Sequence, residues 1–343
     1  MIPCCFHPTR IIILNNSKKL LDSLNHQLSR SHMTLASFEN PHKALHYINE
    51  IYQHEPFYNR YRELKENKVK SKSTVKTHIV DTHNEIYRPQ RFEEISTVVI
   101  PQVPASVPSN NVNDMTGLEF FKKIDNPHVQ KILLIHEGVK DLAQQALEKG
   151  DIDDYLVESD RDWLEKFYQK LQNSQWQYFN KLSEIFFEKV RPGYVNEYAL
   201  NDPNFQKFFK TIIENYGFTE AYLCETTGSY LFLDEQAQDH GLVVNIGDQL
   251  DNWARTAQAK GIKTPLLKEL KDRKKMMCYH APVNGGEPDK SHWDIYAHPA
   301  KTIQGKGRSY YYAFAPNLYD IDVARILPFE EYRDQQRKVG RYH

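Results

Sequence analysis

Short, continuous apolar runs separated by amphipathic stretches constrain this chain more than any other feature. Arg10-Ile11-Ile12-Ile13-Leu14, Thr97-Val98-Val99-Ile100 and Lys131-Ile132-Leu133-Leu134-Ile135 are too short for core-crossing helices and too uniformly apolar for strands with one wet face. They read as strands buried on both faces. Met33 to Phe38 reads as a weaker strand, and Asp153-Asp154-Tyr155-Leu156-Val157 as a fifth.

The intervening segments have helical spacing. Leu20, Leu21, Leu24 and Leu28 share one face. Asn40-Pro41 opens a helix through Ala44, Leu45 and Ile48, with asparagine as N-cap and proline at the first helical position. Met115 to Ile124, Val139 to Lys149 (stopped by Gly150) and Trp163 to Trp176 read as further helices. Five strands alternating with five helices predict an α/β domain built on a doubly wound, five-stranded parallel sheet of flavodoxin-like order. Its functional crevice lies at the carboxyl ends of the strands. Asn15 and Asn16 follow the first strand, Pro101 the third and Glu158 the fifth, while Ile135 closes the fourth.

A chain of 343 residues is long enough for a second domain at roughly 150 residues each. From Leu164 to Phe186 apolar residues continue at helical spacing, which predicts a long connector helix ended by Arg191-Pro192-Gly193. The boundary is set near residue 172, giving domains 1–172 and 173–343. In the second, Asn201-Asp202-Pro203 starts a helix. Ala221 to Glu225, Tyr230 to Asp234 and Leu242 to Asn245 read as strands, the first two joined at Thr226-Thr227-Gly228-Ser229. Gly247 to Lys260 and Leu266 to Lys275 read as helices. Met276 to His280, Trp293 to His298 and Ser309 to Phe314 complete an α+β domain with an antiparallel sheet.

The order of elements in the first domain resembles a two-component response-regulator receiver domain. The residues that carry the likeness are Gly117 to Ile124, Lys131 to Leu134 and Ile152 to Leu156. The stretch Ile86 to Ser96 leading into the third strand, with Gly228 to Asp234 later, more specifically resembles the quorum-sensing (Lqs-type) response regulators of Legionella and relatives. That resemblance implies a signalling protein, an elongated helix in the insertion at about 52–95, and an output domain shaped like nucleotide-binding domains. A working receiver of this kind carries an acidic pair after its first strand, an aspartate phosphoacceptor after the third, a Thr or Ser after the fourth and a lysine after the fifth. Carboxylates are hard oxygen ligands for Mg²⁺, and metal and lysine together neutralise phosphoryl charge.

Here the corresponding residues are Asn15 and Asn16, Pro101, Ile135 and Glu158. Neutral amides bind Mg²⁺ poorly, proline cannot be phosphorylated, and Glu158 repels a phosphoryl group. The first domain is therefore expected to be a pseudo-receiver without a resident cofactor, its Mg²⁺ affinity lost or weak. Asp114 is the candidate substitute acceptor; the simpler reading is that it caps the helix beginning at Met115.

The insertion predicts a helical extension, since long structureless loops are uncommon in compact domains. From Arg60 to Lys76 it carries seven basic residues against Glu63 and Glu66, most simply a solvated face. His78 and His83, with Asp81 between, have the wrong spacing for a metal site on one helix or strand face. In the second domain, the loops containing Gly285-Gly286 and Gly305-Lys306-Gly307-Arg308 are candidate phosphate-ligand sites, through backbone N–H groups and the Lys306 and Arg308 side chains. Neither loop fits a P-loop or dinucleotide fingerprint. Tyr310-Tyr311-Tyr312 is either a stacking surface or a set of strand residues packing across a sheet, the latter being simpler.

Charge and composition exclude other classes. Lys and Arg number 44 against 45 Asp and Glu, and neither half divided at residue 172 has a basic excess, which argues against binding driven by phosphate neutralisation. Local basic segments such as Lys268, Lys271, Arg273, Lys274 and Lys275 keep a DNA-binding regulator as a minority alternative, beside a nucleotide or phosphate sensor. No run of ~18 apolar residues predicts a membrane span, and the N-terminal residues lack the pattern of a signal peptide. Four cysteines without metal spacing fit a reducing cytoplasm. No Ser/His/Asp or Cys/His arrangement supports an enzyme, and no catalytic or metal-binding residue is assigned. The expected partner is a protein: a second copy through the receiver-like domain, or a sensor kinase or regulator.

Overall fold

The computed structural model describes residues 1–14, 21–22, 24, 28, 32–53, 84–101, 115–158, 162–190, 199–225, 227–279, 288–319 and 321–338. These fall into two compact units. One takes Phe6 onward, Arg88–Phe186 and the C-terminal segment from Phe329; the other takes Met1–Cys5, the turn ending at Tyr87 and Phe187–Pro328.

Strand β1 (Cys5–Phe6) joins the sheet of the second unit; the first unit is built on β2 (Thr9–Leu14), β3 (Met33–Phe38), β4 (Ile95–Pro101), β5 (Gln130–Ile135) and β6 (Asp154–Val157). All pairings are parallel, in the order β3-β2-β4-β5-β6. This is the doubly wound sheet the apolar runs predict. Ile11, Ile12 and Ile13 are all 1% exposed or less, so neither face of β2 meets water. On one face Ile11, Ile13, Val99, Ile132, Leu134 and Leu156 pack with Leu24, Leu28, Phe167 and Leu171, an alternating set within runs that are apolar throughout.

Helix α1 (Pro41–Gln53) starts as its sequence dictates, with Asn40 Oδ1 accepting from the N–H groups of His42 and Lys43 at 2.9 and 3.0 Å. Helix α2 is shorter than expected, Gly117–Phe121, because its start is set by a capping box at Thr116. Glu119 N–H donates to Thr116 Oγ1 at 3.2 Å and Thr116 N–H to the Glu119 carboxylate at 2.9 Å. The capping role assigned to Asp114 thus belongs to Thr116. Helix α3 (Lys140–Lys149) ends on Gly150 at φ 75°, the left-handed position glycine occupies without strain. Helix α4 (Trp163–Val190) is continuous, so residue 172 lies within it and the units divide further along, after Phe186.

The second unit opens with α5 (Pro203–Tyr216), capped by Asp202. An antiparallel sheet follows from β7 (Glu220–Glu225), β8 (Ser229–Leu233) and β9 (Asp239–Asn245), the β7–β8 turn using Gly228 at φ 104°. After α6 (Gly247–Ala259) and α7 (Thr264–Lys271) come β10 (Lys275–Met277), α8 (Trp293–Tyr296), β11 (Ala297–Pro299), β12 (Lys301–Gln304) and β13 (Ser309–Pro316). The sheet order is β1-β7-β8-β9-β13-β12, and β10 and β11 form a separate two-stranded sheet.

Two sequence expectations are corrected here. Trp293 to His298 is not a strand: Asp289 caps a turn through Ser291 N–H, the chain continues into α8, and only Ala297–Pro299 is extended. The Trp293 indole, 1% exposed, donates to the Pro288 carbonyl at 3.1 Å, and this buried anchor overrides the strand propensity of its neighbours. Likewise α7 stops at Lys271 rather than Lys275. Arg273 sits at φ 54°, where a turn reverses the chain into β10.

The chain's last helix, α9 (Phe329–Lys338), belongs with the first unit. Phe329 and Tyr332 pack on Phe92 with ring centroids 5.3 and 5.2 Å apart, and the buried Arg10 guanidinium donates to the hydroxyls of Tyr332 and Tyr47.

All four cysteines are buried and reduced. Burial pushes the Cys278 thiol up to about 12 and raises Cys224 well above its ordinary range. Because the thiolate is the reactive form, Ellman's reagent is expected to label the native protein slowly and all four thiols rapidly in guanidinium. Fast labelling of Cys224 or Cys278 before unfolding would contradict this burial.

Candidate functional site

The register of the parallel sheet brings three expected crevice residues to the same edge. Pro101 is the last residue of β4, paired with Leu134. Its missing N–H is tolerated at a strand end, where the ladder closes. Ile135 ends β5, paired with Val157 and 1% exposed. Glu158 follows β6 directly, its N–H donating to the Ile135 carbonyl at 3.0 Å. Asn15, Asn16 and Asp114 lie outside the described residues.

A side chain the sequence reading missed joins this edge. His136, immediately after β5, places Nδ1 3.6 Å from Glu158 Oε2, with the two side chains 69% and 32% exposed. No spacing rule pairs residues 22 positions apart (136 and 158); only the parallel β5–β6 register does. An exposed pair of this kind contributes little to stability. Chemically, the described edge offers a proline ring, an aliphatic side chain and one carboxylate beside an imidazole. It presents neither a hydroxyl at the end of β5 nor a cation after β6. Among the described residues, no group of three or more His, Cys, Asp or Glu could hold a metal ion.

The glycine loop at residue 305 is the β12–β13 hairpin turn, closed by Gly305 N–H donating to the Arg308 carbonyl at 2.9 Å. The Lys306 backbone N–H, offered in the sequence reading to a phosphate, donates instead to Asp202 Oδ2 at 2.8 Å. A Cβ at Gly305 would come within 2.4 Å of that oxygen, which explains the glycine by packing. The Lys306 and Arg308 side chains are exposed. Gly285 and Gly286 lie outside the described residues, as do His78, Asp81, His83 and the basic stretch from Arg60 to Lys76.

The tyrosine run alternates across its strand. Tyr310 and Tyr312 face α5, their rings 5.6 Å from Phe205 and 4.5 Å from Phe208. Tyr311, on the opposite face, accepts a hydrogen bond from Arg273 at 3.1 Å. These rings pack as strand residues and do not form one stacking surface. The basic run from Lys268 is equally dispersed. Lys268 and Lys271 are helical, Arg273 is held in its turn by both oxygens of Asp251, and Lys275 on β10 pairs with Glu269 at 3.0 Å. The continuous basic helix expected there does not form.

A five-stranded parallel sheet in this order gives the first unit the response-regulator receiver-like fold. The whole chain has the fold of an Lqs-type response regulator. It is similar to the Legionella pneumophila response regulator LqsR at a TM-score of 0.77 and 25% identity, over 97% of this chain and 96% of that one. Two shorter solved structures match about half of the chain. They are a response-regulator receiver domain protein from Clostridium thermocellum (15% identity, 50% of this chain and 95% of that one, TM-score 0.29) and an adenylate cyclase from Rhodopirellula baltica (12% identity, 54% and 98%, TM-score 0.34). No protein-family model and no curated protein matches the sequence.

Proposed function

We propose that this chain is a two-component-type signalling protein whose receiver-like unit works without phosphorylation at the usual position. One observation supports the reading: Pro101 and Ile135 end β4 and β5 and Glu158 follows β6, the positions at which the receiver resemblance expects a carboxylate, a hydroxyl and a lysine. Signalling then rests on protein contacts made by this unit or by the second, output unit, with another copy of the chain or a sensor kinase or regulator as partner. We place it in the cytoplasm; no helix among the described residues is long and apolar enough to cross a membrane.

Incubation with acetyl phosphate and Mg²⁺ tests this. Intact-mass measurement is expected to show only the unmodified protein. A stoichiometric phosphoprotein overturns the proposal, and loss of that adduct in Asp114→Ala would identify the acceptor that replaced the missing one.

A further inference from the structure

The second unit contains a cavity of about 440 Å³ on the face of its antiparallel sheet that α6 covers. This lies within the range of small-molecule sites, ~300–1,000 Å³. Its walls include Glu225, Asn245, Gln249, Asn252, Trp253 and Tyr279. The β7–β8 register shifts between Leu223 and Glu225, and a bulge of this kind re-aims a side chain.

Asn245 is 8% exposed, yet its side chain has no hydrogen-bond partner among the described residues. An amide that makes no protein hydrogen bond on a cavity wall is available to a ligand. Two neighbouring amides have only their donor ends to spare. The Gln249 side-chain oxygen already accepts from Ile246 N–H at 2.9 Å, and that of Asn252 from Arg255 at 2.7 Å. The described walls hold one carboxylate, Glu225, and no cationic side chain. An anion entering would meet Glu225 uncompensated, whereas a cation gains from it and from the aromatic walls.

We infer that this cavity binds a small aromatic amine, its cationic end at Glu225 and a hydrogen-bond acceptor on its ring facing the spare amide N–H groups. This site is independent of the receiver-like unit's chemistry, and none of its described wall residues carries the positive charge a phosphate ligand requires.

Tyramine and 4-hydroxyphenylacetate, matched in ring and opposite in charge, test it by isothermal titration calorimetry on the full chain. Tyramine is expected to bind saturably with one equivalent, at least ~10-fold more tightly than the acid. Glu225→Gln, at an exposed position, is expected to bring the two within about 3-fold, and Asn252→Ala to weaken tyramine while leaving the charge preference intact. Absence of saturable tyramine binding, indifference of tyramine affinity to Glu225→Gln, or tighter binding of AMP than of tyramine would each overturn the inference.

Discussion

Replacing Glu94 by alanine is expected to lower the stability of the receiver-like unit by about 2–4 kcal/mol, the cost of leaving buried polar groups without their partner. Glu94 is 2% exposed and sits between two buried side chains. Its Oε1 accepts from the Tyr178 hydroxyl at 2.6 Å, and its Oε2 lies 2.9 Å from His7 Nε2. The other ring nitrogen of His7 is 3.0 Å from the Pro8 carbonyl, so the imidazole has no alternative partner on that side. Alanine would strand a hydroxyl and an imidazole in the interior together. The network also joins elements distant in sequence: Tyr178 is on α4, His7 precedes β2, and Gln175 of α4 donates to the His7 carbonyl at 3.1 Å. Urea unfolding followed by circular dichroism measures the effect. Glu94→Gln, which keeps an acceptor for Tyr178, should cost less than Glu94→Ala. A loss below about 1 kcal/mol in Glu94→Ala would show that water replaces the network.

Asp202→Ala is expected to destabilise the second unit by about 2–4 kcal/mol, because one carboxylate serves three donors. Oδ1 caps α5 through Asn204 N–H at 2.9 Å, while Oδ2 accepts from Lys306 N–H at 2.8 Å and the Tyr310 hydroxyl at 3.2 Å. Asp202→Asn retains the cap oxygen but turns an amide N–H₂ toward two donors, so it should recover only the helix-capping part. The contact also has a pH signature. Burial first, and then the neighbouring Asp202 carboxylate, push the Tyr310 phenol up to about 12 from its ordinary 10.0. The folded state therefore holds this proton more tightly than the unfolded chain does. Tyr310's contribution is full below pH 10.0 and is lost as pH rises toward about 12. Tyr310→Phe should shallow the alkaline loss of stability measured across that range. An unchanged slope would mean that this phenol reaches water in the folded state.

The local signals were legible wherever one short segment contains its own explanation. The isoleucine run of β2 is buried on both faces because it has no polar residue to turn outward. Asn40 and Asp202 cap their helices because their short side chains reach N–H groups two or three residues on. The same rules start α2 at Met115, whereas the capping box of Thr116 and Glu119 sets its first residue at Gly117. They also extended α7 through Arg273, whose ion pair with Asp251 stabilises the turn that ends it. Local pattern predicts strand at Trp293 because its helix is set by burial of one large ring, which periodicity does not encode.

By itself the sequence determined the parallel α/β core, the order of its elements and the identities of Pro101, Ile135 and Glu158, because strand burial and residue chemistry are local properties. Only the tertiary structure decided that His136 meets Glu158 and that Asp202 occupies the amide of the Lys306 loop. The same holds for the packing of α9 on Phe92 and Arg10, and for the cavity that Glu225, Asn245 and Trp253 line together. Each of these contacts joins residues far apart along the chain, and such pairs are specified by register and packing rather than by any pattern within a window of sequence.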